Sequence, residues 1–430
     1  MKQPMYSIAN DIQPKGKSGF TVFLKLIILV SLLVLGCSSG SLPNTETLEN
    51  TAFNLEKNAA YSKSTLGLYD ISSFDVYVDE HIIHVIASGK LSANNKRIAI
   101  RYTRSEDGGH RWKNPVTIDR LLPATIANRG NDVQLAVKGK HLVSLWQTKG
   151  EFPAMGPMIS AYSSDNGKTW KRGPNPAVDN DGSQAYMDLV ADQHGNFHAV
   201  WLADPNENGY QGLHYARSVD QGKQWSQPIT LDDSTCSCCW NTFALSPDNK
   251  LNILYRDTSP RDMSLIQSSD AGITWQKASV AGDFQWKFEG CPHVGGGLKY
   301  VGIENVSQLH SIVWTGAEEK SGLYHLSSNN NGQNWSAPTK LGDMAINGDI
   351  AARDQNSVAA IWNEIEADGL SIFYSKSNNS GSDWLTPKRL TEARHSATHP
   401  KLVATKHGFL AIWTEKNNKQ PSELAWYIFE

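Results

Sequence analysis

Three things are scarce in this 430-residue chain, and each scarcity narrows what it does. The one pronounced apolar run, Leu26-Ile27-Ile28-Leu29-Val30-Ser31-Leu32-Leu33-Val34-Leu35, falls short of the ~20 residues a membrane-crossing helix needs. With Lys15, Lys17 and Lys25 ahead of it, the run reads as an export leader. Basic charge has no surplus: the formal net charge is −3, and removing residues 1–36, with four lysines and one aspartate, leaves −6. Nothing in that balance favours a nucleic-acid partner. Cysteine is rare too, with five residues in all, and their spacing matches no common zinc-finger pattern.

What the chain has in abundance is one motif, Ser-x-(Asp/Asn)-x-Gly-x-x-Trp. Six copies begin at Ser105, Ser163, Ser218, Ser268, Ser328 and Ser377. A regular period of this size marks a repeat architecture. Each copy has the makings of a tight turn between two strands. The Asp or Asn side chain accepts hydrogen bonds from nearby backbone N–H groups, and Gly supplies the positive φ that closes the loop. The Trp that follows covers the turn and wedges between neighbouring sheets. On these residues the chain resembles the Asp-box (BNR) repeat proteins of the sialidase-like propeller superfamily, from about Ser73 to the C-terminus. The box occurs in enzymes and binding modules alike, so the resemblance implies a fold before it implies an activity.

Around the boxes an apolar strand, a polar turn and a second strand ending in an aromatic residue recur. Seven second strands are visible: Ile83–Ile86, Leu142–Trp146, Phe197–Trp201, Leu251–Tyr255, His310–Trp314, Val358–Trp362 and Phe409–Trp413. The expected fold is therefore all-β, a β-propeller of four-stranded antiparallel blades over residues 61–430. Seven blades are favoured, and six, the number in sialidases, are the alternative. The last unit ends at its third strand, so an N-terminal strand, with Leu66-Gly67-Leu68-Tyr69 as the candidate, is expected to complete it and remove both exposed edges. His84, His198 and His310 fall inside strand patterns and are expected to be packed or bonded between blades.

Val34-Leu35-Gly36-Cys37 resembles a bacterial lipobox. The resemblance implies a signal peptide over residues 1–36, lipid on Cys37, and a cell-envelope protein tethered to the outer membrane. Residues 37–60, rich in Ser, Asn, Thr and Glu, read as a flexible spacer.

The loops leading into first strands, together with those joining second to third strands, share one face and gather polar residues there. The sialidase resemblance implies a glycan as partner. It assigns Arg129, Arg256 and Arg261 to gripping a substrate carboxylate. Tyr186 with Glu364 or Glu366 becomes the nucleophile and its base, and Asp188 or Asp132 the acid. The Phe/Tyr-Arg-Ile/Leu-Pro motif of sialidases has no counterpart between Cys37 and Ser105. A non-catalytic binding propeller is the competing class.

Four of the five cysteines, Cys236, Cys238, Cys239 and Cys291, lie in two consecutive first-strand loops, with His293 two residues past the last. They read as disulfides, as a copper or zinc site, or as redox-active thiols. In each case the two loops are expected to meet. The lipid-anchor expectation has a direct check: Cys37→Ser should release the protein from the membrane fraction, and retention there would remove the anchor assignment.

Overall fold

The structure, a computed structural model, describes residues 61–118, 132–150, 156–179, 182–204, 211–303, 306–367, 369–392, 395–417 and 420–430. The expected leader, Cys37 and the spacer lie outside these residues, as does Arg129. Among the described residues no helix is long and apolar enough to cross a membrane.

Seven four-stranded antiparallel sheets make a seven-bladed propeller. The first strands are Asp70–Asp79, Gln134–Lys138, Gln184–Ala191, Thr242–Leu245, Gly296–Ile303, Ala345–Ala352 and His395–Thr405. Neighbouring first strands touch all the way round, so they line the axis. The second strands are buried on both faces because each sheet is sandwiched between two others, and they read as nearly unbroken apolar runs such as Phe197–Ala203. Trp201, Trp362 and Trp413 are among the largest fully buried side chains. Each contact between blades is a separate core. In one, Ile86, Ile100 and Tyr102 of blade one meet Leu135, Leu142 and Trp146 of blade two. Every such aliphatic or aromatic side chain contributes roughly 1.5–3 kcal/mol when fully buried.

Blade seven is composite. His395–Thr405, Gly408–Asn417 and Glu423–Phe429 supply three strands, and Tyr61–Ser64 pairs with the third, Tyr61 opposite Tyr427 and Ser64 opposite Leu424. The ring-closing strand thus precedes the expected Leu66–Tyr69. Those residues instead turn the chain into blade one: the Leu68 N–H donates to the Thr65 carbonyl at 2.8 Å, and Leu66 and Gly67 have φ of 51° and 74°. Leu66 and Leu68 are buried between blades seven and one, and that burial fixes the turn.

All six boxes share one hydrogen-bond pattern. The Ser Oγ donates to the Asp or Asn oxygen at 2.8–2.9 Å. It also accepts the Gly N–H at 2.8–3.0 Å. The Asp or Asn oxygen accepts the N–H of the residue before Trp. Each box glycine also lies against the preceding blade. A Cβ on Gly167 would come within 2.1 Å of Tyr102, one on Gly272 within 1.8 Å of Tyr215, and one on Gly381 within 2.3 Å of His325. Those three rings are the partners of the strand histidines. His84 Nδ1 meets the Tyr102 hydroxyl at 2.7 Å, His198 Nδ1 the Tyr215 hydroxyl at 2.7 Å, and His310 Nδ1 meets His325 Nε2 at 3.1 Å. A buried histidine, a third-strand ring and the next blade's box form one stack.

Two glycines of similar φ separate backbone strain from packing. Gly167→Ala (φ 77°) places a methyl in the Tyr102 ring, whereas Gly108→Ala (φ 72°) places it in open space. Gly108→Ala should cost only about 1 kcal/mol, from the left-handed backbone. Gly167→Ala should cost about 1–3 kcal/mol more, from overpacking. Chemical denaturation of both variants checks the difference.

Candidate active site at the axial mouth

The first strands are bulged where they reach the mouth. Register shifts fall between Ala185 and Asp188, between Ile346 and Asp349, and between Thr398 and Lys401. Each bulge contains a non-glycine residue in the left-handed region: Tyr186 (φ 54°), Asn347 (φ 49°) and His399 (φ 57°). Bulges of this kind re-aim the side chains that follow them. Here those side chains are Asp188, Asp349 and Lys401.

These residues occupy one repeating position. Gln134, Asp188, Thr242, Asp349 and Lys401 pair across the sheet with Leu145, Val200, Leu254, Ile361 and Ile412, each the residue just before a second-strand Trp or Tyr. All five line the mouth, a cavity of about 780 Å³ counting its solvent-open part. Trp240, Asn241, Asn347, His399 and Asp132 line it as well. Three carboxyl groups, Asp132, Asp188 and Asp349, therefore share this lining with one ammonium group, Lys401.

The carboxylates have a structural duty. Asp188 accepts the Leu189 N–H at 2.8 Å and the Phe243 N–H of the next blade at 2.5 Å. Asp349 accepts the N–H groups of Ile350 at 2.9 Å and Leu402 at 2.8 Å, and Asp75 accepts that of Leu135 at 2.9 Å. Each one ties a blade to the first strand of its neighbour. Burial pushes the Asp188 carboxyl up to about 7, against the pull of Lys401, and pushes Asp75 up to about 6. Burial alone would lower Lys401, but the surrounding carboxylates Asp75, Asp349, Asp188 and Asp132 overcome it and hold the ammonium above its ordinary range. Asp188 is thus a carboxylic acid that titrates near neutrality beside a fixed cation, the property a general acid needs.

The other expected site residues are distributed differently. Tyr186 is buried, its hydroxyl 3.2 Å from His293 Nδ1 and its ring edge-on to Trp240. Burial, and then the nearby thiols, raise its phenol above the ordinary range. Glu364 sits in blade six and accepts the Trp362 indole N–H at 2.8 Å, and Glu366 pairs with Arg389 at 2.9 Å. The buried Arg256 donates to the carbonyls of Arg261 at 2.6 Å and Trp314 at 2.8 Å, and lies over the Trp286 ring. Arg261 donates to the Phe288 carbonyl and to Cys236 Sγ. Both guanidinium forks are taken up in holding loops. Two residues of the mouth carry no motif in the sequence: Trp240, whose indole donates to Asp132 at 2.6 Å, and Lys401. The signal for Lys401 was its place opposite the residue before the second-strand Trp, legible only once strand register is known.

The cysteine loops do meet. The Sγ atoms of Cys236, Cys238 and Cys239 lie within 4.8 Å of one another, and so do the donor atoms of Cys238, Cys291 and His293. All four thiols are free, the first three buried and Cys291 exposed.

Residues 92–283 match the family model of the BNR repeat-like domain. A search of the curated proteins finds no match. Among solved structures, a PL25 ulvan lyase bound to -[GlcA(1-4)Rha3S]- superposes with a TM-score of 0.55 at 11% identity, over 84% of this chain and 95% of that one. The polysaccharide lyase Uly1 gives 0.53 at 12% identity, over 88% and 94%. Hadza microbial sialidase Hz136 gives 0.46 at 15%, over 70% of this chain and 66% of its own. These are likenesses of fold.

The raised carboxyl at Asp188 has a consequence for stability. Its folded-state value near 7 lies above the ordinary 3.8, so the folded chain holds that proton more tightly than the unfolded chain. The contribution to stability is complete below about pH 4 and lost as pH rises towards about 7. Buried His84 and His310, both pushed down to about 4, act in the opposite direction as pH falls below 6.5. Comparing the wild type with Asp188→Asn isolates the carboxyl: the variant's stability relative to the wild type should rise between pH 4 and pH 7.5. Thermal melts across that range check it.

Proposed function

We propose that this propeller is a cell-envelope protein that recognises a glycan in its axial mouth, with Asp188 placed to act as an acid on it. The observation that carries the reading is the mouth itself. A half-buried indole, Trp240, stands beside three carboxyls, the amides of Asn241 and Asn347, and Lys401. Sugar rings stack their C–H faces on aromatic rings, and their hydroxyls donate to carboxylate and amide oxygens. A lining rich in acceptors matches hydroxyl groups better than it matches a sugar carboxylate. Arg256 and Arg261, engaged with backbone carbonyls, do not supply the carboxylate grip of a sialidase. The substrate class this favours is a hydroxyl-rich sugar residue. The two fold neighbours with TM-scores above 0.5 described here are polysaccharide lyases, in keeping with a carbohydrate ligand on this scaffold.

The test is a binding and turnover screen with neutral, amino-sugar, sialylated and uronate-containing oligosaccharides. Trp240→Ala should weaken binding about tenfold, equivalent to ~1.4 kcal/mol. Asp188→Asn separates the two classes: turnover lost with binding kept marks an enzyme, and binding without turnover in the wild type marks a recognition module. No binding anywhere in the panel would overturn the glycan reading.

A further inference from the structure

The cysteine cluster lies beside the mouth, and the mouth chemistry does not use it. Three of its sulfurs are buried, with Cys236 Sγ 2.9 Å from Cys239 Sγ and 3.8 Å from Cys238 Sγ. Backbone N–H groups point at the sulfurs: that of Cys238 at Cys236, and that of His293, from the other loop, at Cys238. Arg261 Nη1 donates to Cys236 Sγ at 3.3 Å, and the Arg256 charge is close by. The sulfurs thus lie close together, with donors from both loops and an arginine against them.

The five donors form two overlapping triads. Cys236, Cys238 and Cys239 make the inner one; Cys238, Cys291 and His293 make the outer one; Cys238 belongs to both. Metal–sulfur bonds of about 2.3 Å place bound sulfurs about 3.8–4.0 Å apart; Cys236 and Cys238 stand at 3.8 Å, and the donors of each triad lie within 4.8 Å of one another. Structural zinc takes four ligands in a tetrahedron, and copper(I) is satisfied by two or three soft ones. Three-donor sets sharing one thiolate match the second preference.

We infer that Cys236, Cys238, Cys239, Cys291 and His293 form a thiolate site for two copper(I) ions, bridged by the Cys238 sulfur. The exposed Cys291 is the point of access, and the inner triad is the closed end. The Tyr186 hydroxyl on His293 Nδ1 orients the imidazole, the role that outer partners play at metal sites. Binding transfers no electron: each copper(I) forms bonds to sulfur, and the displaced thiol protons pass to solvent. Through Tyr186 and its edge contact with Trp240, the outer ion position also adjoins the mouth.

The test is an anaerobic titration of the reduced full chain with copper(I) against bicinchoninate. Bound copper is counted by elemental analysis, and thiol protection by iodoacetamide labelling and mass spectrometry. The expected result is about two equivalents retained, one per triad, with all four clustered cysteines protected. Against the competitor, His293→Ala and Cys236→Ser should each weaken retention of one equivalent, and Cys238→Ser, which removes the shared ligand, should weaken retention of both. Protection of the wild-type thiols needs no variant, so a misfolded variant leaves the proposal testable. Copper stripped by the competitor overturns the inference. So do disulfides among these cysteines that persist in the isolated chain, a single equivalent of zinc bound in preference, and full retention in Cys238→Ser. Glycan binding is measured separately, so either reading can fail alone.

Discussion

A blade of this protein cannot bury both of its faces by itself. Its second strand is apolar on both sides, as in Phe197–Ala203, where every residue is buried, so each sheet needs a neighbour on either face. An open row would leave two such faces and two strand edges in water. Closure is therefore the condition on which the rest depends, and it rests on Tyr61–Ser64 completing a blade whose other strands come from the far end of the chain. The pairing is reinforced outside the ladder by the Tyr61 hydroxyl and the Lys63 ammonium, both 2.9 Å from the Glu415 carboxylate.

Closure has a chemical consequence at the axis. First strands forced side by side bring one position from each blade to a common centre, and the side chain there meets the backbone of the next blade. Asp75, Asp188 and Asp349 use that position to accept a neighbouring amide N–H, which keeps three carboxyl groups in a confined space around Lys401. The same confinement raises Asp188 towards neutrality. Structural cohesion and candidate acid chemistry thus come from one arrangement. The bulges at Tyr186, Asn347 and His399 are where the strand departs from regular pairing to aim those side chains.

The opposite face carries the boxes, and their work is mechanical. The glycines of five boxes admit a side chain of the preceding blade at a distance where no Cβ fits, and that of the first, Gly109, packs tightly on Leu410, so the boxes act as clips between blades. Polar clustering belongs to the mouth, which leaves that face free to vary in chemistry while the clips hold the frame.

By itself the sequence determined the repeat, the all-β class and the seven second strands, because box spacing and apolar runs are local signals carried within each unit. It also placed the two cysteine loops on consecutive blades, so their meeting was legible from connectivity. It did not determine which residues share the axis. Lys401 and Asp188 lie 213 positions apart in the chain and meet only because the ring closes. Arg256 and Arg261 suited substrate binding by residue type, yet tertiary packing turned their donors onto the carbonyls of Trp314 and Phe288, acceptors that exist only once blades four and five are assembled. The strand that closes the ring was misplaced by a few residues for the same reason. Leu66 and Leu68 look like a strand in isolation, and only their burial between blades seven and one makes them a turn.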